Sequence, residues 1–224
     1  MCNSSCLQFI QDNISASDVK GGRVLEVGAR NVNGSAREAV MSLAPLDYIG
    51  VDLDAGPGVD EVCDVTDLAP HFGPGKFSVV ISTEMLEHVR DWRAAVSNMK
   101  TVLAPGGLLL LTTRSAGYPY HGYPHDFWRY EEADIRGIFS DMTVLTTGKD
   151  PLVPGIFVKA RKPETYSMND LSGIALYSVI SGRRCLDITD GELMFFKIKR
   201  GARTLISALV PAPLKRLLKK LFRQ

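Results

Sequence analysis

Two hydrophobic patterns alternate along residues 4–162. One is a short apolar run closed by glycine or a polar residue, the form of a strand buried on both faces. It recurs in "VLEVG" (24–28), "YIGVDL" (48–53), the shorter "DEVCDV" (60–65), "KFSVVIST" (76–83) and "GGLLLLTT" (106–113). The other pattern repeats at helical spacing. Residues 4–19, with apolar positions 6, 7, 10 and 14, predict a covering helix, and "DWRAAVSNMKTVL" (91–103) an amphipathic one. In "SAREAVMSL", Ser35 is the expected N-cap, with Glu38 completing a capping box. A helix near 131–139, a strand near 142–148 and a last strand, "GIFVKARK" (155–162), complete the series. Strands alternating with helices predict a doubly wound α/β fold around a mostly parallel sheet. Beyond Pro163 this rhythm stops.

Composition narrows the class. A chain of 224 residues, 45% hydrophobic and 23% charged, can bury a sizeable core. Its four cysteines, at 2, 6, 63 and 185, lack CxxC pairing and metal-ligand spacing, and read as reduced thiols of a cytoplasmic protein. The net charge of +1 conceals an asymmetry: all 25 acids precede residue 193, and residues 193–224 carry nine bases. Three segments result: an α/β domain over 1–163, an accessory segment over 164–196 and a basic tail over 197–224.

In an open α/β sheet, ligands sit at the carboxyl ends of the strands, where strand order reverses. Gly28 lets the backbone approach a ligand there, Asp52 ends the second strand where a carboxylate can accept ribose hydroxyls, and Asp64 ends the third. With Glu26 they outline a nucleoside-shaped site. "GARNVNG" does not supply the GxGxxG of dinucleotide binding, and no GxxxxGK[ST] is present.

The order "VLEVGARNVNG", "YIGVDLD", "CDVTDL", "FSVVISTEMLEHV", "LAPGGLLLLTT" resembles the class I S-adenosylmethionine-dependent methyltransferases over residues 23–162. The resemblance implies a seven-stranded sheet with an antiparallel last strand, and S-adenosylmethionine as cofactor. Glu26, Gly28, Ala29 and Arg30 would line its methionine end, Asp52 and Leu53 the ribose, and Asp64 and Val65 the adenine. Ser82, Thr83, Glu84 and Met85 would flank the methionine portion. Arg30 and Val32 stand where the family usually has its second and third glycines.

On the acceptor side, "SAGYPYHGYPHDFWRYEEAD" (115–134) concentrates tyrosines, Phe127 and Trp128 with His121, His125, Asp126 and Arg129. Its Gly and Pro residues predict a loop at the cofactor mouth. His125, His121, His88 or Asp126 would then be the base for an oxygen acceptor. The alternative is a structured lid whose aromatics pack on the sheet. No metal site is expected, since His121 and His125 lack an evident third ligand. The region also resembles, more loosely, methyltransferases of surface polysaccharide and glycolipid assembly, which implies a small-molecule or glycan acceptor. In the tail, Leu214, Leu217, Leu218, Leu221 and Phe222 lie at helical spacing opposite lysines and arginines, the pattern of a helix resting on an anionic membrane. Nucleic acid is disfavoured for want of a recognised module. A non-catalytic binding module and an N- or C-methyltransferase stand as the competing readings.

Overall fold

The computed structural model describes residues 3–122 and 124–209. The strands are β1 (Arg23–Val27), β2 (Asp47–Asp52), β3 (Glu61–Val62), β4 (Phe77–Thr83), β5 (Leu103–Arg114), β6 (Trp128–Arg129), β7 (Thr143–Lys149), β8 (Gly155–Arg161), β9 (Leu176–Ser178) and β10 (Arg183–Cys185). The α-helices are α1 (Ser4–Asn13), α2 (Ala16–Val19), α3 (Arg37–Met41), α4 (Leu68–Phe72), α5 (Trp92–Val102), α6 (Glu132–Ile138) and α7 (Asp190–Leu209).

Seven strands form one sheet in the order β3-β2-β1-β4-β5-β8-β7. Strands β1 to β5 pair in parallel, whereas β8 runs antiparallel to both β5 and β7. The last strand of the sheet is therefore antiparallel and lies inside the edge, as the resemblance implied. Alternate residues of each strand serve opposite faces. Val24, Val79, Ile81, Leu108 and Leu110 pack under α1, α2 and α3, while Leu25, Val27, Val80, Leu109 and Leu111 pack under α5, α6 and residues 171–188. On α5, Val96 and Met99 are fully buried, each contributing about 1.5–3 kcal/mol. Pro105, Gly106 and Gly107 form an irregularity in β5: its pairing with β4 passes from Phe77↔Leu103 to Val79↔Leu108.

Five features depart from the sequence pattern. The covering helix over 4–19 is two helices, because Ser15 accepts a role as cap: its backbone N–H donates to Asp18 at 3.0 Å and restarts the helix as α2. Ser35 does not form the expected capping box. Its hydroxyl accepts from Arg37 N at 3.1 Å, as a cap would, and donates to the buried Glu26 carboxylate, while Ala36 takes the N-cap position of a five-residue α3. The third strand keeps only two residues, since Asp64 accepts from the Thr66 N–H at 2.8 Å and starts a 3₁₀ turn. Within 164–196, β9 pairs with both β10 and β6, making a three-stranded sheet that takes in the end of the aromatic loop. Finally, the boundary at 197 falls inside α7. The apolar series from Leu214 to Phe222 lies outside the described residues.

Candidate active site

Strand order reverses between β1 and β4, so the crevice of this sheet opens at their carboxyl ends. Gly28 stands at that point with φ +80°, and the N–H groups of Gly28 and Ala29 both donate to Val51 O at 2.9 Å. A Cβ on Gly28 would come within 2.7 Å of Met85 Cβ and Cγ. The loop after β1 and the loop after β4 are thus in contact, and only glycine fits between them.

The other cofactor-side candidates gather around this loop. Glu26 is buried, and its Oε2 accepts from Tyr48 Oη at 2.7 Å and Ser35 Oγ at 3.2 Å, tying β1, β2 and the loop together. Burial pushes its carboxyl up, against the lowering effect of those two hydroxyls. Asp52 accepts from Arg30 N at 3.2 Å and Asp54 N at 3.3 Å. Arg30 extends to an ion pair with Asp54 at 3.5 Å. Leu53, 59% exposed, offers an apolar face beside Asp52. Asp64 caps its turn, while Val65 points into the core. On β4, Ser82 is fully buried and Thr83 half-buried. Glu84 turns off the strand at φ +53°, an uncommon conformation for a residue with a Cβ. Its carboxylate pairs with the buried Arg114, which also reaches Asp150 at 3.3 Å.

The 3₁₀ turn that follows, Leu86–His88, meets the aromatic loop and assembles a buried polar cluster. Glu87 Oε1 lies 3.4 Å from His121 Nε2 and 3.9 Å from His88 Nε2, while Glu87 Oε2 accepts from Thr113 Oγ1 at 2.9 Å. His121 Nδ1 lies 2.8 Å from Asp126 Oδ2, off the line of a straight hydrogen bond. Asp126 is fully buried and clamped by Arg129, Nη1 to Oδ1 at 2.6 Å and Nη2 to Oδ2 at 2.7 Å. Burial would raise the Asp126 carboxyl, but Arg129 and His121 hold it well below the usual carboxylate range. Burial works against a charged His121, yet Asp126 and Glu87 outweigh it and push the ring up to about 9.

His125 is placed differently. Its carbonyl accepts from His88 Nδ1 at 2.5 Å, but its ring lies against Phe127, 5.5 Å between centroids, with Lys197 nearby. Burial and that lysine lower its proton affinity. His88, His121 and Asp126 are thus brought together, and the His125 ring is not among them. Of the aromatics, Phe127, Trp128 and Tyr130 are core residues, whereas Tyr118 and Tyr120 are partly exposed. Sequence reasoning passed over Glu87, Thr113 and Arg114. Glu87 had a signal, standing next to His88 in the strand-ending turn; Thr113 and Arg114 looked like ordinary strand residues.

A family model described as a methyltransferase domain matches residues 4–142. The chain belongs to this family of class I S-adenosylmethionine-dependent methyltransferases. Two curated relatives are ubiquinone biosynthesis O-methyltransferases. That of Chromobacterium violaceum is 32% identical over 48% of this chain and 49% of its own length. That of Xanthomonas euvesicatoria pv. vesicatoria is 36% identical over 43% of this chain and 44% of its own. The chain thus spans about half the length of the curated relatives it matches. Among solved structures, it resembles the Burkholderia thailandensis 1,6-didemethyltoxoflavin-N1-methyltransferase with bound 1,6-didemethyltoxoflavin and S-adenosylhomocysteine. The TM-score is 0.59 at 14% identity, covering 72% of this chain and 80% of that one. An S-adenosylmethionine-dependent methyltransferase from Mesorhizobium loti gives 0.56 at 16% identity, covering 71% and 99%. At these identities the structural likeness speaks for the fold of this family member. Among the described residues, no helix is long and apolar enough to cross a membrane.

Proposed function

We propose that this methyltransferase-family chain binds S-adenosylmethionine in the crevice between the β1 and β4 loops and transfers its methyl group to a hydroxyl of a small molecule. The observation that carries this reading is the contact between the two halves of the site. Met85 packs against Gly28 and leads into the turn bearing Glu87 and His88. A cofactor cradle and a buried histidine–carboxylate cluster therefore adjoin.

The chemistry needs both. A sulfonium methyl is already activated, so much of the work is to hold nucleophile and methyl in line. The acceptor oxygen forms the new O–C bond as the C–S bond breaks, and the sulfur keeps the bonding pair as S-adenosylhomocysteine. The hydroxyl proton must leave as well, and within the buried cluster Glu87 and His88 are the groups able to take it. The names of the curated relatives favour an oxygen acceptor over nitrogen or carbon. On this reading Asp52 holds the ribose, Asp64 and Val65 the adenine side, and Tyr118 and Tyr120 offer aromatic faces to the acceptor.

A finer reading takes the acceptor as a sugar hydroxyl of a glycan presented at an anionic membrane surface. It is favoured by Met194, Phe195 and Ile198, which stand 62–66% exposed on α7 where the basic tail begins. Deletion of residues 197–224 would then release the protein from anionic vesicles; unchanged sedimentation would count against the membrane.

Thermal unfolding with and without S-adenosylhomocysteine, with reduced nicotinamide dinucleotide as control, tests the cofactor. Ligand at a hundred times its dissociation constant adds about 2.7 kcal/mol, a rise of roughly 5–10 °C at this length. Labelled methyl transfer to a panel of phenols, nucleotide sugars and amines then tests the acceptor. No midpoint shift at saturating nucleoside would favour a binding module over an enzyme.

A further inference from the structure

We propose that Glu87, His88 and His121 form a binding site for one first-row divalent transition cation. One donor atom of each residue lies within 4.8 Å of the other two. Two donors each about 2.1 Å from a metal at a tetrahedral angle are about 3.4 Å apart. Glu87 Oε1 and His121 Nε2 stand at 3.4 Å, and His88 Nε2, at 3.9 Å from the same oxygen, needs only a small ring movement.

The surroundings are those of a ligand set. A histidine that binds a metal through one nitrogen ordinarily gives its other N–H to a carbonyl or carboxylate. His88 Nδ1 does so to His125 O at 2.5 Å, and a carbonyl can only accept, so the neutral ring keeps its lone pair on Nε2. His121 Nδ1 faces the Asp126 carboxylate, which Arg129 fixes in place. Glu87 leaves Oε1 for the same point while Thr113 occupies Oε2. All three donors therefore converge.

A second observation is independent of this geometry. Glu87 is fully buried, and its Oε1 makes no hydrogen bond among the described residues; neither ring nitrogen of His121 makes a well-directed one. A buried carboxylate oxygen without a well-directed donor is costly, and a cation at this point would bond Glu87 Oε1 and His121 Nε2 while His121 Nδ1 stays turned to Asp126. Two imidazoles and one carboxylate suit Zn²⁺, Mn²⁺ or Co²⁺ rather than Mg²⁺ or Ca²⁺, which favour oxygen ligands, and they leave coordination positions open. Where the methyl-transfer reading also holds, an acceptor oxygen would fill one of those positions and lose its proton more readily. The site itself does not depend on that reading.

The test uses the full chain freed of metal and holding neither cofactor nor acceptor. Titration with Co²⁺, followed by its visible absorption, and with Mn²⁺, followed by loss of its free-ion electron paramagnetic resonance signal, reports occupancy directly. We expect about one equivalent per chain, displaced by Zn²⁺, with binding weakened at least tenfold in Glu87→Gln and in His121→Ala. His71→Ala, outside the cluster, should bind as the parent does. Circular dichroism checks that each variant is folded, and His88→Gln reports separately should Glu87→Gln prove unstable. No uptake by the folded parent chain, or equal uptake by the cluster variants, overturns the proposal. Either result leaves S-adenosylhomocysteine binding, measured in parallel, to judge the cofactor.

Discussion

Replacing Gly28 with alanine probes the junction on which the site depends. Two costs are expected. The first is backbone strain, because φ +80° is a left-handed conformation that costs a residue with a Cβ about 1–2 kcal/mol. The second is collision, since the new Cβ would lie 2.7 Å from Met85 Cβ, an atom fixed by its own backbone. Relief requires the β4 loop to retreat, and overpacking of this kind costs about 1–3 kcal/mol. Together they amount to about 2–5 kcal/mol, a fall in unfolding midpoint of roughly 5–20 °C. Gly21 separates the two contributions. It has φ +66°, and a Cβ added there would meet no atom within 4 Å, so Gly21→Ala carries the strain alone. The measurement is denaturant unfolding of both variants beside the parent, with calorimetric titration of S-adenosylhomocysteine. Gly28→Ala should be the less stable by about the collision cost and should bind the nucleoside at least tenfold more weakly. Equal stability of the two variants, or parental affinity in Gly28→Ala, would refute the claim that these loops are fitted against each other.

Further outcomes follow from single contacts. Asp52→Ala should lower S-adenosylhomocysteine affinity about 10- to 100-fold by calorimetry, the loss of charge-assisted hydrogen bonds to the ribose. Lys100 is fully buried and donates to both Asp141 oxygens at 2.7 and 2.9 Å, so Lys100→Met should destabilise by about 3–5 kcal/mol in denaturant unfolding, leaving the Asp141 carboxylate without its cation. Burial alone would raise the Asp141 carboxyl, but Lys100 and Tyr166 hold it below its ordinary value. Its stabilisation is therefore present above the unfolded pKa near 3.8 and is lost as pH falls through the depressed folded value. Unfolding midpoints measured between pH 6 and pH 2 should show that loss in the parent chain and a reduced one in Asp141→Asn.

The sheet was legible because strands buried on both faces must be apolar throughout, and "VVIS" and "LLLL" have no other reading at that length. The end of the first strand was the place to look for a ligand because open α/β sheets bind there, while the reversal of strand order between β1 and β4 is a property of the folded sheet. What the pattern concealed was the sharing of side chains. Ser35 has the sequence of a cap and its hydroxyl accepts from Arg37 N at 3.1 Å, but the same hydroxyl also donates to Glu26, 2% exposed, a partner outside the local helical pattern. The aromatic loop misled in a similar way: its composition suggests a binding surface, yet Phe127, Trp128 and Tyr130 are core. Periodicity could not reveal this, because their partners lie outside the loop, on the turn and helix at 87–92 and on β9.

That division of the loop bears on how the site works. From Phe127 onward it is fastened on every side: Phe127 N donates to Glu87 O at 2.8 Å, Val179 N to Phe127 O at 2.9 Å, Tyr130 N to Arg114 O at 2.9 Å, and Trp128 Nε1 to Arg90 O at 3.0 Å. Arg93, through Leu171, Leu186 and Ile174 carbonyls, anchors the segment that carries β9. Asp126 and Arg129 sit within or beside this fastened stretch, so the group that faces His121 is held as rigidly as the sheet. His121 belongs to the first half, with Tyr118 and Tyr120; Arg129 holds that half by donating to the Tyr118 and Pro119 carbonyls, and His121 meets the second half through Asp126 and its own backbone N–H. The residues after 163, which lack the alternating pattern of the main sheet, supply that rigidity by adding β9 and β10 to a two-residue strand that could not stand alone.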